Sequence, residues 1–69
     1  MPLTLVKEGE PAFIKKVGGK EDVRQFLENL GFVSGAAVTV ITTVGGNLIV
    51  NIKDSRIAIG RDMASRIMV

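Results

Sequence analysis

The chain contains no Cys, no His, no Trp and no Tyr, and its only aromatic side chains are three Phe. Without Cys there is no disulfide framework, no thiolate nucleophile and no thiolate zinc site. Without His, the side chain that titrates near neutrality and most often serves as general base is missing as well. The serines, Ser34, Ser55 and Ser65, are left with nothing to activate them. An excess of one charge is also lacking. Nine Lys and Arg stand against seven Asp and Glu, a net charge of +2, too small to mark a nucleic-acid binder by itself. Together these absences exclude most enzyme classes, and no cofactor is expected.

What is present is 69 residues with a hydrophobic fraction of 46%. That length suits a single domain over residues 1–69. A chain this small buries only about 60% of the surface it exposes when unfolded, and its mean hydropathy of +0.34 is high for such a body. Apolar surface is therefore expected outside the core, available to a partner.

Met1-Pro2-Leu3-Thr4 lacks the charged-then-apolar order of a signal peptide. Residues 29–52 carry no charge and are long enough on paper to span a bilayer. Gly31, Gly35, Gly45 and Gly46 and the Asn, Ser and Thr residues among them argue against a lipid-facing helix. Alternation of apolar and polar residues on both sides of Gly45-Gly46 suits a hairpin instead. A soluble, cytoplasmic protein without membrane insertion is expected.

Leu3 to Val6 reads as a short strand, and Lys7 to Pro11 as a turn. Ala12 to Val17 reads as a second strand, with a bulge near Lys15-Lys16 needed to bring both Ile14 and Val17 inside. Lys20 to Leu30 is the clearest element. Val23, Phe26, Leu27 and Leu30 fall at i, i+3, i+4 and i+7, Glu21 and Asp22 suit the positive end of a helix dipole, and Gly31-Phe32 has the pattern of a left-handed cap. A strand from Ala37 to Thr43, with Val38, Val40 and Thr42 opposite Thr39, Ile41 and Thr43, leads to a tight turn at Gly45-Gly46. The return strand, residues 48–52, places Leu48, Val50 and Ile52 on one face. Asp54-Ser55 turns into Arg56 to Ile59, Asp62 to Ser65 forms one helical turn, and Arg66 to Val69 closes as a strand. Five or six short strands around one helix predict a mainly β fold, a bent antiparallel sheet closed into a small barrel.

Few features suggest chemistry. Val17-Gly18-Gly19-Lys20 enters a helix, but the Ser or Thr of a phosphate-binding loop is absent and Glu21-Asp22 would repel phosphate, which favours a plain turn. The carboxylates are scattered; only Glu8/Glu10 and Glu21/Asp22 are neighbours, and both pairs have roles in turn and helix start. Lys7, Lys15, Lys16, Lys20 and Arg24 gather early, and Arg56, Arg61 and Arg66 late. Phe13 and Lys15 on one strand face would make a minimal stacking pair for single-stranded nucleic acid, although solvated charge is the ordinary reading.

A resemblance enters with particular segments. Leu5 with Gly9-Glu10, then Ile14-x-x-Val17-x-Gly19, resembles the start of a FeoA domain. Leu30-Gly31-Phe32-Val33-Ser34-Gly35 is similar to the family's leucine–glycine segment, with Ser34 where proline often stands. Residues 56–69 are similar to its ending. The resemblance spans essentially the whole chain. It implies an SH3-like barrel with an inserted helix and a small cytoplasmic component of bacterial ferrous iron transport, whose partner is the transporter FeoB, through its G-protein region or its membrane part. The alternatives from other classes are a nucleic-acid-binding small β-barrel and a metal-responsive accessory domain, since similar domains end some iron-dependent repressors.

Conventional SH3 domains hold proline-rich peptides between aromatic rings. With Phe26 assigned to the helix stripe and Phe32 to its cap, only Phe13 remains, and that groove cannot be built. Ile41 and Ile49 instead fall opposite the Val40 and Val50 set. The expected partner site comprises Ile41, Ile49, Gly45 and Gly46 with basic flanks, and Phe13 and Lys15 as further contacts. The absence of His and Cys also sets an expectation for metal. Anaerobic calorimetric titration with ferrous iron should give no saturable site at micromolar strength, about −8 kcal/mol, and a stoichiometric site of that strength would contradict it.

Overall fold

The helix is the element with the strongest local reasons to form. In the computed structural model, which describes residues 1–69, α1 spans Glu21–Leu30, with Glu21 and Asp22 in its first turn. Its stop is built by Gly31 at φ 109°, a conformation that costs a side chain strain but costs glycine little. The Gly31 amide donates to the Glu28 carbonyl and the Phe32 amide to the Leu27 carbonyl, both at 3.0 Å. This double bond pattern turns Phe32 back under the helix, where it is fully buried.

The buried stripe of α1 is narrower than its periodicity predicts. Leu27 is fully buried and Val23 and Leu30 pack against the core, but Phe26 remains 49% exposed. Successive residues are about 100° apart around the axis. Phe26 therefore lies at the far edge of the stripe, and the helix rests on the sheets too lightly to cover it.

Six strands accompany this helix: β1 (Pro11–Phe13), β2 (Lys16–Val17), β3 (Ala37–Val44), β4 (Asn47–Ile52), β5 (Ser55–Gly60) and β6 (Ile67–Met68). They form a four-stranded antiparallel sheet in the order β1-β3-β4-β5 and a two-stranded sheet of β2 with β6. The expected mainly β, SH3-like architecture with an inserted helix is thus present, but no continuous ladder closes the two sheets into one barrel. The predicted strand Ala12–Val17 is in fact two. The chain breaks at Ile14-Lys15 and passes from one sheet to the other, so Phe13 and Lys15 do not share a regular strand face. This break, rather than a bulge, buries Ile14 and leaves Val17 half-buried.

Three further expectations are corrected. Leu3–Leu5 is a 3₁₀ turn, not a strand. Pro2 bridges Met68 and Met1 pairs with Val69, so β6 offers no partner for the following residues, and the chain curls to bury Leu3. The β3 alternation is broken between Val40 and Thr42, where Ile41 is an extra residue and Thr42 opposes Ile49. Thr42 therefore does not share the face of Val38 and Val40. The tight turn before β5 is Lys53-Asp54, not Asp54-Ser55, and both residues have positive φ, 50° and 63°. Asp tolerates this region better than most residues, and Ser55 is already paired with Ile52. A single turn, α2 (Arg61–Ala64), follows β5 and buries Ala64.

The core comprises Leu3, Ile14, Leu27, Phe32, Val38, Val40, Leu48, Val50, Ile52, Ile59, Ala64 and Ile67. Every strand of the larger sheet except β1 supplies at least one of them. Leu27→Ala should destabilise by about 2–5 kcal/mol, whereas Phe26→Ala should cost under about 1 kcal/mol. Urea unfolding of the two variants checks this; equal losses would place Phe26 in the core after all.

Candidate functional site

Residues directly opposite each other in an antiparallel pair share a face. Val40 opposes Val50, which opposes Ile57, and Leu48 opposes Ile59, all toward the core. On the other face Thr42 opposes Ile49, which opposes Ala58. This row crosses three strands on the outside of the sheet. Ile49 and the bulged Ile41 are each half-buried, yet neither belongs to the core nor packs against it. Val44, 60% exposed, extends the apolar surface toward the hairpin.

At that hairpin Gly45 has φ 59°, as the first centre of a type II′ turn requires. An added Cβ on Gly45 or Gly46 would meet nothing within 4 Å, so the tip is open. Basic groups border the surface. The Arg61 amide donates to the Gly46 carbonyl at 2.9 Å, which sets Arg61 beside the tip, and Arg56 opposes Asn51 on the same outer face. Both arginines are exposed.

Four of the six expected contact residues, Ile41, Gly45, Gly46 and Ile49, thus occupy one region. Phe13 and Lys15 do not join them. Phe13, 66% exposed, opposes Ala37 at the start of β3. The hairpin lies at the other end of that strand, on the order of 20–25 Å away at the usual rise per residue. Lys15 lies past the corner, its amide donating to the Met68 carbonyl at 2.7 Å.

One feature escaped the sequence reading: a cleft of about 370 Å³ between α1, β2 and the turn after the helix, lined by Lys16, Val17, Arg24, Glu28, Phe32, Val33 and Ser34. Arg24 and Glu28 on one helix flank were the available signal, but the opposite wall comes from two other segments. The Ser34 hydroxyl donates to the Lys15 carbonyl at 2.6 Å and so ties that wall to the sheet corner. No three carboxylates converge anywhere in the structure. No helix is long and apolar enough to cross a membrane.

A helix inserted between short strands, with aliphatic side chains on the outer sheet face, is the SH3-like arrangement that the resemblance implied. Comparison with known proteins makes this more specific. The profile of the FeoA domain matches residues 1–69, and the chain belongs to the FeoA domain family. It is 40% identical over 68 residues, covering 99% of this chain and 83% of the other, to a protein of Methanocaldococcus jannaschii named as a candidate Fe(2+) transport protein A. A crystal structure described as the iron uptake regulatory protein FeoA superposes with a TM-score of 0.91 at 28% identity, covering 100% of this chain and 93% of that one. The zinc-complexed FeoA of Stenotrophomonas maltophilia, described as a prokaryotic SH3 domain protein, matches with a TM-score of 0.88 at 25% identity, covering 100% and 88%.

The two sides of the sheet predict opposite outcomes for the same substitution. Ile49→Glu should leave the fold intact, with a melting temperature within about 5 °C of the parent. Val50→Glu, which buries a carboxylate among apolar side chains, should leave the chain unfolded. Circular dichroism melts distinguish them, and unfolding of both variants would place Ile49 in the core.

Proposed function

We propose that this protein is a non-enzymatic, cytoplasmic accessory component of ferrous iron transport. It docks through the outer face of β3, β4 and β5 on a FeoB-type transporter and modulates transport. The observation that carries this reading is the family match over residues 1–69, together with the iron-transport name of the archaeal relative. The description of the Stenotrophomonas protein offers an activating role in ferrous iron transport for that protein, and the same direction of effect is proposed here.

The chemistry of the surface supports a folded or helical partner over a proline-rich peptide. Aliphatic side chains at Ile41, Ile49 and Val44 give area without the aromatic slots that hold a polyproline helix. Arg56 and Arg61 at the border would steer an acidic partner and fix its orientation more than they would add affinity. Iron is the transporter's cargo in this reading and needs no resident site on this chain.

Capture from membranes of the source organism tests the proposal. The tagged protein is expected to retain a FeoB-type transporter, and Ile49→Glu, still folded, should reduce the yield about tenfold or more. Retention of no transporter by the parent protein would overturn the reading. Undiminished capture by the folded variant would move the docking face elsewhere.

A further inference from the structure

The cleft beside α1 is separate from the docking face, since none of its lining residues lies on β3, β4 or β5. Its apolar floor is offered by the half-buried Val17 and Val33 over the fully buried Phe32; its exposed charges are two cations, Lys16 and Arg24, and one anion, Glu28. Arg24 and Glu28 are spaced i, i+4 on the helix, yet Arg24 takes part in none of the side-chain hydrogen bonds, which are made by Asp22, Ser34 and Ser65. A smaller polar recess of about 80 Å³, lined by Glu21, Arg24, Gln25 and Glu28, continues the cleft along the helix. Arg24 thus lines both recesses. The Ser34 hydroxyl proton is already committed to the Lys15 carbonyl, which leaves its oxygen as an acceptor. Donors for an incoming anion are therefore the two cationic side chains.

We propose that this cleft takes an acidic segment of a partner polypeptide, an aliphatic residue next to an aspartate or glutamate. The carboxylate lies against Arg24 and Lys16, and the aliphatic carbons lie on Val17 and Val33. Size, apolar floor and charge each narrow the ligand. The volume is at the lower end of what small-ligand sites use, enough for a pair of side chains rather than a large cofactor. The apolar floor favours a ligand with carbon to bury over a bare ion. Glu28, with Glu21 in the adjoining recess, repels every anion, and a doubly charged phosphate more than a single carboxylate. Guanidinium–carboxylate pairing supplies the directional contact. The site stands whether or not the outer sheet face engages a transporter.

The test uses the full ¹⁵N-labelled chain at low salt, with a blocked peptide, acetyl-Ala-Leu-Asp-Ala-amide, as probe. Saturable amide shifts are expected at Val17, Arg24, Glu28, Val33 and Ser34. The matched peptide with asparagine in place of aspartate should bind about tenfold more weakly, as should the aspartate peptide to Arg24→Gln. Arg24 is exposed, so Arg24→Gln should leave the circular dichroism unaltered. Equal binding of the two peptides, or unchanged binding to Arg24→Gln, overturns the proposal. So does tighter binding of inorganic phosphate than of the aspartate peptide at the same amides, which would make the cleft a phosphate site. Shifts confined to β3 and β4 would overturn it in favour of the sheet face.

Discussion

One short run of chain, Pro11 to Val17, has to serve two sheets, and the rest of the molecule depends on the corner this creates. Ile14 stands at the corner, buried, with its amide donating to the Ala36 carbonyl at 2.9 Å and its own carbonyl accepting from Gly35 at 2.7 Å. One residue later the chain has changed partners, and the Lys15 amide donates to Met68. Because the corner satisfies its backbone groups on both sides, two sheets of four and two strands can share a single core without a closing ladder. The helix is inserted after this corner, beyond β2, and the chain returns to the corner through Gly35. The position of α1, and with it the cleft along its flank, is therefore set by the same hydrogen bonds that join the sheets.

The division of apolar residues between inside and outside follows from size. A body of 69 residues has a thin interior, and only one face of each strand can reach it. The alternating partners Val40, Val50 and Leu48 fill that interior, so Ile49 and the bulged Ile41 are left on the outer surface. The aromatic side chains are only three. Phe32 is consumed by the helix stop, while Phe13 and Phe26 stand apart on the surface, and no ring-lined groove results.

Much of the fold was legible because local signals and tertiary demands coincide. The helix, its glycine stop, the Gly45-Gly46 hairpin, the inward set Leu48, Val50 and Ile52, and the closing strand all have patterns that packing reinforces. The misreadings arise where tertiary structure overrides a local pattern. Leu3 to Val6 has strand-forming residues but no free edge to pair with. Phe26 has helical periodicity but lies beyond the contact width of the sheets. Ile41 interrupts the pairing in a run of β-branched residues whose alternation gives no sign of a break. Lys53 and Asp54 adopt positive φ without glycine, because strand register demands a two-residue turn there. Of the candidate site, parity alone separates Ile49 from Leu48, Val50 and Ile52, and the packing of those three into the core decides which set faces outward. The cleft could not be read from the sequence, because Lys16, Arg24 and Ser34 come from three segments whose meeting is a property of the corner and not of any one stretch.

Residues Met1 and Val69 face each other across an antiparallel bridge. The Met1 ammonium donates to the Val69 carbonyl at 2.9 Å, the Val69 amide donates to the Met1 carbonyl at 2.8 Å, and Pro2 bridges Met68. Over residues 1–69 the backbone thus nearly closes into a ring, and a ring has no privileged starting point. New ends opened at the exposed Gly45-Gly46 tip, with the old ones linked by a short spacer, would leave every ladder pairing in place. The order in which the strands are synthesised would change while their final neighbours would not. The molecule thus offers a way to ask whether its assembly follows the sequence of the chain or only the geometry of the corner at Ile14.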